Sequence, residues 1–406
     1  MPIERPRCLL ARRAATALAT ACALFLAGLA PLEAAPAPSL GLALAGPVQT
    51  VFTPATDPCH GDDVPDVNAR AFRDAGGNVV LFGLHDVNRA LRGPDLAHLK
   101  IDCDVAYRAH GDANPAAYDD HGWIAALWTE DGRHVSALIH HEYHASEHPG
   151  RCKTTNFMSC WYNTILELRS SDGARSFARP KQPVVAAAPF RQSFDQTRHR
   201  GFFNPSNIVT FRGAQYFFAS TTGWRGQPYG ACLFRSRTPA DSQSWRAFDG
   251  RAFTIHYDDP YAPGFVAPKP CTVIAPFGVP VGAVVRYRPA GVFLAVWQAK
   301  QDAGLFPLSG FYYATSRDLL RWSDPRLLVA GDTLYDDACH SGGQLINYPS
   351  VLDDHTKSRN FEDVGDRPWL YFASLRVDGC AVTSDRVLLR RRLLISWNGR
   401  LSEGAR

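Results

Sequence analysis

Five consecutive residues, His140-His141-Glu142-Tyr143-His144, bring three imidazoles, a carboxyl and a phenol together. In a strand, alternate side chains take opposite faces, so His140, Glu142 and His144 would share one face and His141 and Tyr143 the other. Two chemistries suit the first face. A carboxyl whose pKa is raised by partial burial holds a proton at neutral pH and can hand it to a leaving oxygen. Two histidines and a carboxylate are also ligands for a divalent cation, but ligands two apart on one strand seldom converge on one ion without help from elsewhere. The reading therefore assigns no metal and no cofactor, while leaving a bound divalent cation open. A second cluster of the same character is His85-Asp86-Val87-Asn88-Arg89, where Asp86 is a further catalytic candidate.

The elements that must position these clusters form one repeated module. In its clearest copy Asn204-Pro205-Ser206-Asn207-Ile208-Val209 opens a strand, Gly213 turns it, and Gln215-Tyr216-Phe217-Phe218-Ala219-Ser220 returns before a third strand, Gly230 to Ser236. Copies open at Val64, Trp123, Val284 and Tyr348, with Gly76-Gly77, Asp131-Gly132 and Gly291 at turns. Apolar strand runs broken by glycine turns, with little helical periodicity, predict an all-β fold, a five-bladed β-propeller. A β-sandwich or a pair of β-domains is the alternative. In such a module the start of the first strand and the end of the second meet at one mouth of the central channel. The second-strand ends are uniformly polar: His85 to Arg89, His140 to His144, Thr221 to Trp224, Gln298-Ala299-Lys300, and Arg376.

Ser316-Arg317-Asp318-Leu319-Leu320-Arg321-Trp322-Ser323 and Ser170-Ser171-Asp172-Gly173-Ala174-Arg175-Ser176-Phe177 resemble the S-x-D-x-x-x-W turns of five-bladed propeller glycoside hydrolases of the arabinanase, xylosidase and invertase type, and more distantly the Asp-box of sialidases. The motif's role is structural: the Asp bonds its own turn and the ring packs between blades. The resemblance implies a site at one channel mouth with carboxylates near the openings of the first three inner strands. Asp66, after Pro65, matches the first, and Asp119 or Asp120 the second. The third opening, Asn204-Pro205-Ser206-Asn207, carries no acid, so Glu142 is read as its replacement, the proton donor, opposite an ionised Asp66. Arg70, His85, His141, Tyr143, Asn204, Trp224, Gln298, Lys300, Tyr348 and Arg376 are the substrate-binding candidates, because aromatic rings stack on sugar faces and Arg, Asn and Gln bond hydroxyls.

Composition agrees. The 406 residues are 46% hydrophobic and 20% charged, with a formal charge of +4, and removing the basic N-terminus leaves about +2, too little for a nucleic-acid binder that works through a dense basic surface. Residues 1–35 read as a secretory signal peptide, 36–55 as a Pro/Ala-rich leader and 56–406 as a single catalytic propeller. No other segment would span a membrane. Removal of the signal leaves an even set of cysteines, for which sequential pairing is expected: Cys59–Cys103, Cys152–Cys160, Cys232–Cys271 and Cys339–Cys380. The loop pinned by Cys152 and Cys160 should overhang the mouth.

These readings converge on a secreted or periplasmic monomer that cleaves glycosidic bonds in a polysaccharide or oligosaccharide. A polysaccharide lyase using His141, Tyr143 and Arg376 or Lys300, and a non-catalytic sugar-binding propeller, are the competing functions.

Overall fold

β-Branched and aromatic residues in short runs, each stopped by a residue that accepts a left-handed backbone, leave the chain few options other than hairpins. In the computed structural model, which describes residues 40–56 and 59–399, the turn glycines Gly132, Gly213 and Gly291 have φ of 77°, 72° and 63°. Each sits between the first two strands of its module, as expected. The strands form four hydrogen-bonded sheets, and the largest, of ten strands, spans two of five antiparallel blades, joined where Arg200–Phe203 pairs in parallel with Trp161–Ser170. The first blade comprises Arg70–Arg73, Val79–Phe82, Arg89–Gly93 and Lys100–Val105. The second comprises His121–Thr129, Val135–His144, Trp161–Ser170 and Val184–Ala187. The third is built on Val209–Phe211, Ala214–Thr221, Gly230–Ser236 and Arg246–Phe248, and the fourth on Ala283–Tyr287, Val292–Ala299, Gly310–Ser316 and Arg326–Ala330.

The fifth blade contains a departure from expectation. Gln344–Leu352, Trp369–Asp378 and Ala381–Trp397 supply its inner strands, and its outer strand is Leu40–Phe52, paired antiparallel with Ala381–Trp397. Residues 36–55 are therefore not a mere leader: most of that stretch is the strand that joins the beginning of the propeller to its end. The signal-peptide reading of residues 1–35 lies outside the described residues.

Five apolar clusters lie between successive blades. Phe72, Val80 and Phe82 meet Ile124, Ile139 and Leu166 between the first and second blades. Leu138 and Ile165 meet Phe217, Phe234 and Trp245 between the second and third, and Phe218 and Leu233 meet Phe293, Trp297 and Tyr312 between the third and fourth. Val285 and Leu294 meet Val351, Leu370 and Ile395 between the fourth and fifth, and Leu352, Tyr371 and Leu388 meet Val79, Leu81 and Leu91 between the fifth and first. The last cluster closes the ring, so the fold is a five-bladed β-propeller.

Arg70 occupies the axis of this ring and is 3% exposed. Its Nε donates to Ala125 O (2.6 Å), Nη1 to Ser350 Oγ (3.0 Å), and Nη2 to Gly282 O (2.7 Å) and Pro205 O (3.4 Å). One guanidinium from the first blade thus bonds the inner edges of the other four. Burial pulls its pKa down to about 9. Asparagines staple neighbouring blades in a similar way: Asn88 Nδ2 donates to Gly122 O and its Oδ1 accepts from Ile124 N, while Asn207 does the same with Val284 O and N.

The S-x-D turns behave as structural devices. Asp318 Oδ1 accepts from the amides of Leu320 and Arg321, and Asp172 Oδ1 from those of Arg175 and Ser176. The four sequential cysteine pairs are all present as disulfides. Each is expected to stabilise by about 2–4 kcal/mol. Thiol titration of the denatured, unreduced mature protein should accordingly find almost no free thiol; two or more free thiols per chain would contradict this pairing.

Candidate active site at the channel mouth

Three strand ends of the second blade build the centre of the site. Antiparallel register sets His121 opposite Glu142 and Trp123 opposite His140. On the other side it sets Glu142 opposite Asn163 and His144 opposite Trp161. Directly opposed residues share a face, so His121, Glu142 and Asn163 form a row beside Trp123, His140, His144 and Trp161. The first blade adds Asp66 before its inner strand and His85-Asp86 after its second. These two ends meet as expected, with the Asp66 amide donating to Gly83 O (3.3 Å).

Glu142 is ringed by imidazoles. His140 Nε2 lies 3.2 Å from Oε1 and His144 Nε2 2.8 Å from Oε2. Asn163 joins two of the rings: Nδ2 donates to His140 Nε2 (2.6 Å) and Oδ1 accepts from His199 Nε2. Burial pushes Glu142 up, but His140, His144 and His199 together pull it below the ordinary carboxylate range. These surroundings favour the charged form of Glu142, which suits a base or nucleophile better than the proton donor expected from the sequence.

Asp66 has the opposite balance. It pairs with Arg386, accepts from Tyr348 Oη (3.1 Å) and lies 3.5 Å from His85 Nε2. Burial raises its pKa, Arg386 and His85 lower it, and the charge on Glu142 raises it again; the net movement is upward. The expected ionised partner is therefore the carboxyl of this pair that holds its proton more tightly than usual. Asp86 stands between two rings, 2.6 Å from His85 Nδ1 and 3.1 Å from His121 Nδ1. Burial disfavours its charge, but the two histidine bonds outweigh this and hold it far below the usual range. Burial pulls His121 down, and the surrounding carboxylates Asp86, Asp120 and Glu147 overcome it to bring the ring up to about 9.

Other candidates separate clearly. Tyr348 reaches the mouth through its bond to Asp66, and Asn204 lies beside His140. Trp224 lines an adjacent cavity with Phe190, Gln196 and Arg200, and Lys300 is exposed at its strand end. Several sugar-binding expectations are corrected. Arg70 is the axial staple. His141 and Tyr143, each 1% exposed, face the interior: His141 packs edge-on against Tyr118, and Tyr143 donates to Ala113 O (2.8 Å). Gln298 is consumed in joining the fourth and fifth blades, donating to Asn347 Oδ1 (2.9 Å) and accepting from the Tyr348 amide (2.7 Å). Arg376 is exposed and lies 3.6 Å from Asp385. The arginine that reaches the site is Arg386, ten positions further on. Of the two aspartates at the second opening, Asp119 pairs with Arg179 (2.7 Å), and Asp120 turns toward the site, accepting from the His144 amide (2.7 Å).

Sequence reasoning missed His121, Glu147, Asn163, His199 and Arg386. His121 had a signal, since it immediately follows Asp119-Asp120 at an inner-strand opening; the others are recruited through strand register and loop closure. The disulfide-pinned loop does border the mouth, where His144, Ser146, Glu147, Phe157 and Trp161 surround a cavity of about 250 Å³.

No family model matches the chain, and neither does any curated protein sequence. Among solved structures, an α-L-arabinanase from Cellvibrio cellulosa is similar at 13% identity and a TM-score of 0.45, covering 83% of this chain and 93% of that one. The catalytic domain of a Coprinopsis cinerea GH62 α-L-arabinofuranosidase is similar at 10% identity and 0.45, covering 86% and 96%. An N-acetylgalactosamine deacetylase from F. plautii, solved with blood group B trisaccharide, is similar at 14% and 0.44, covering 88% and 96%. What defines the class here is the chain's own geometry: a five-bladed propeller with a mouth lined by carboxylates and histidines.

Proposed function

We propose that the protein is an exported glycoside hydrolase acting on a polysaccharide or oligosaccharide. The observation that carries this reading is a pair of buried carboxyl groups at one mouth whose surroundings drive their protonation in opposite directions, Asp66 toward the neutral acid and Glu142 toward the carboxylate. Groups pushed apart in this way divide acid and base roles. Asp66 protonates the departing glycosidic oxygen, and Glu142 activates water or attacks the anomeric carbon. Asp86 is a positioning residue that fixes His85 and His121. Trp161 and Phe157, with ring centroids 5.7 Å apart at the rim, offer apolar faces to a sugar. The four disulfides fit an oxidising, extracytoplasmic compartment, and no helix among the described residues is long and apolar enough to cross a membrane.

The lyase reading loses support because His141 and Tyr143 face the core. Products distinguish the alternatives. Incubation with a polysaccharide panel should release reducing ends without the ultraviolet absorbance of an unsaturated uronide; that absorbance would instead mean elimination, and saturable binding without product would make the protein a sugar-binding propeller.

A further inference from the structure

Beside Asp66 and Glu142, the mouth contains a further convergence of side chains, which shares His144 with the surroundings of Glu142. His121 opens the inner strand of the second blade, His144 ends the next strand, and Glu147 closes the single 3-10 turn that follows. One ligand atom from each lies within 4.8 Å of the others. Glu147 Oε2 is 3.2 Å from His121 Nε2, and Oε1 is 3.0 Å from His144 Nδ1. A tetrahedral ion with bonds of about 2.1 Å needs donors roughly 3.4 Å apart, so small side-chain rotations suffice.

The far side of each ring makes the cluster more specific than proximity alone. His121 presents Nε2 to the cluster while its Nδ1 bonds Asp86 Oδ2 (3.1 Å). His144 presents Nδ1 while its Nε2 bonds Glu142 Oε2 (2.8 Å). Each ring thus lies between two carboxylates, with its facing nitrogen bonded to Glu147; a bound cation would replace the proton on that nitrogen while the distal carboxylate keeps the proton on the other, the arrangement that orients metal-bound histidines. A further group points the same way. Asp120, its side chain 1% exposed, turns Oδ1 toward the same ring, 3.7 Å from His121 Nε2, and also pairs with His148 Nε2 at 3.0 Å. Its negative charge lies beside the position a cation would take.

We propose that His121, His144 and Glu147 bind one divalent transition-metal cation of the zinc class, with Asp86 and Glu142 as positioning residues and the remaining coordination position facing the cavity bordered by Phe157 and Trp161. Two imidazoles and a carboxylate suit zinc and leave a position for water or a substrate oxygen. The site goes beyond the proposed hydrolase activity, and its primary readout is occupancy.

The test is titration of the chelator-treated, disulfide-intact mature protein with Zn²⁺ against a chromophoric competitor. One equivalent should bind. Glu147→Gln, at an exposed position that tolerates substitution, should weaken binding at least tenfold, and His121→Ala more. Asp86→Asn should weaken it by about 10–100-fold while the protein keeps its unfolding midpoint. His98→Ala, at an exposed histidine 2.8 Å from Asp95, should change nothing. Asp66→Asn should also leave zinc affinity unchanged, since Asp66 contacts none of the three ligands, so loss of hydrolysis and loss of the metal are separable. Co²⁺ should give visible bands of a low-coordinate nitrogen–oxygen site that disappear in His144→Ala. Absence of saturable zinc binding by the folded protein, or wild-type affinity in both Glu147→Gln and His121→Ala, would overturn the proposal.

Discussion

Asp66→Asn is expected to lower turnover of natural glycosides by about 10²–10⁴-fold, yet to retain much of its activity on substrates with an activated aryl leaving group. Such a leaving group departs without protonation, so a missing acid matters little there. Glu142→Gln should behave differently, losing about 10³-fold or more on both substrate types, because water activation or attack on the sugar is needed whatever departs. The structural basis is the contrast between a carboxyl raised by burial and by repulsion from Glu142 and one held ionised among His140, His144 and His199. Steady-state kinetics with paired aryl and alkyl glycosides checks this. If Glu142→Gln, and not Asp66→Asn, is rescued by the good leaving group, the roles are reversed; if both variants keep near-normal turnover, neither residue is catalytic.

The largest stability effect is expected at Arg70. Replacement by Met approximates its stem but removes the donors that satisfy Ala125 O, Gly282 O, Pro205 O and Ser350 Oγ. Leaving a buried acceptor unpaired typically costs about 1–3 kcal/mol, so stranding several of these at once is expected to cost about 3 kcal/mol or more. Urea unfolding should show a midpoint shift of this size, with loss of near-ultraviolet dichroism preceding any chemical change at the mouth. A shift below about 0.5 kcal/mol would mean that the inner edges of the blades are held without the guanidinium.

The same residue shows where sequence reading stops. The blades were legible because each is made of neighbouring hairpins, and Gly132, Gly213 and Gly291 mark turns whose left-handed backbone is a local requirement. Arg70 belongs to one short strand, but its partners come from four other blades, so no local pattern separates an axial staple from a sugar ligand. The closing strand Leu40–Phe52 was hidden for a similar reason: its partner, Ala381–Trp397, lies at the opposite end of the chain, and its own sequence is poor in aromatic residues. Alternation did place His140, Glu142 and His144 on one face. It could not show that His199 and Asn163 would join them, and these neighbours help decide whether Glu142 holds a proton. Gln298 and Arg376 were reasonable as polar strand ends, yet interblade bonding absorbed the first and the offset to Arg386 displaced the second.

The proposed hydrolysis at this mouth is tested directly by running the reaction in heavy-oxygen water and analysing the products by mass spectrometry. Wild-type protein should place one heavy oxygen at each newly formed anomeric hydroxyl, with label accumulating at least 10²-fold more slowly in Asp66→Asn and Glu142→Gln on unactivated substrates. Product that carries the label elsewhere, or that forms at the wild-type rate in both variants, would contradict glycoside hydrolysis by these two carboxyl groups.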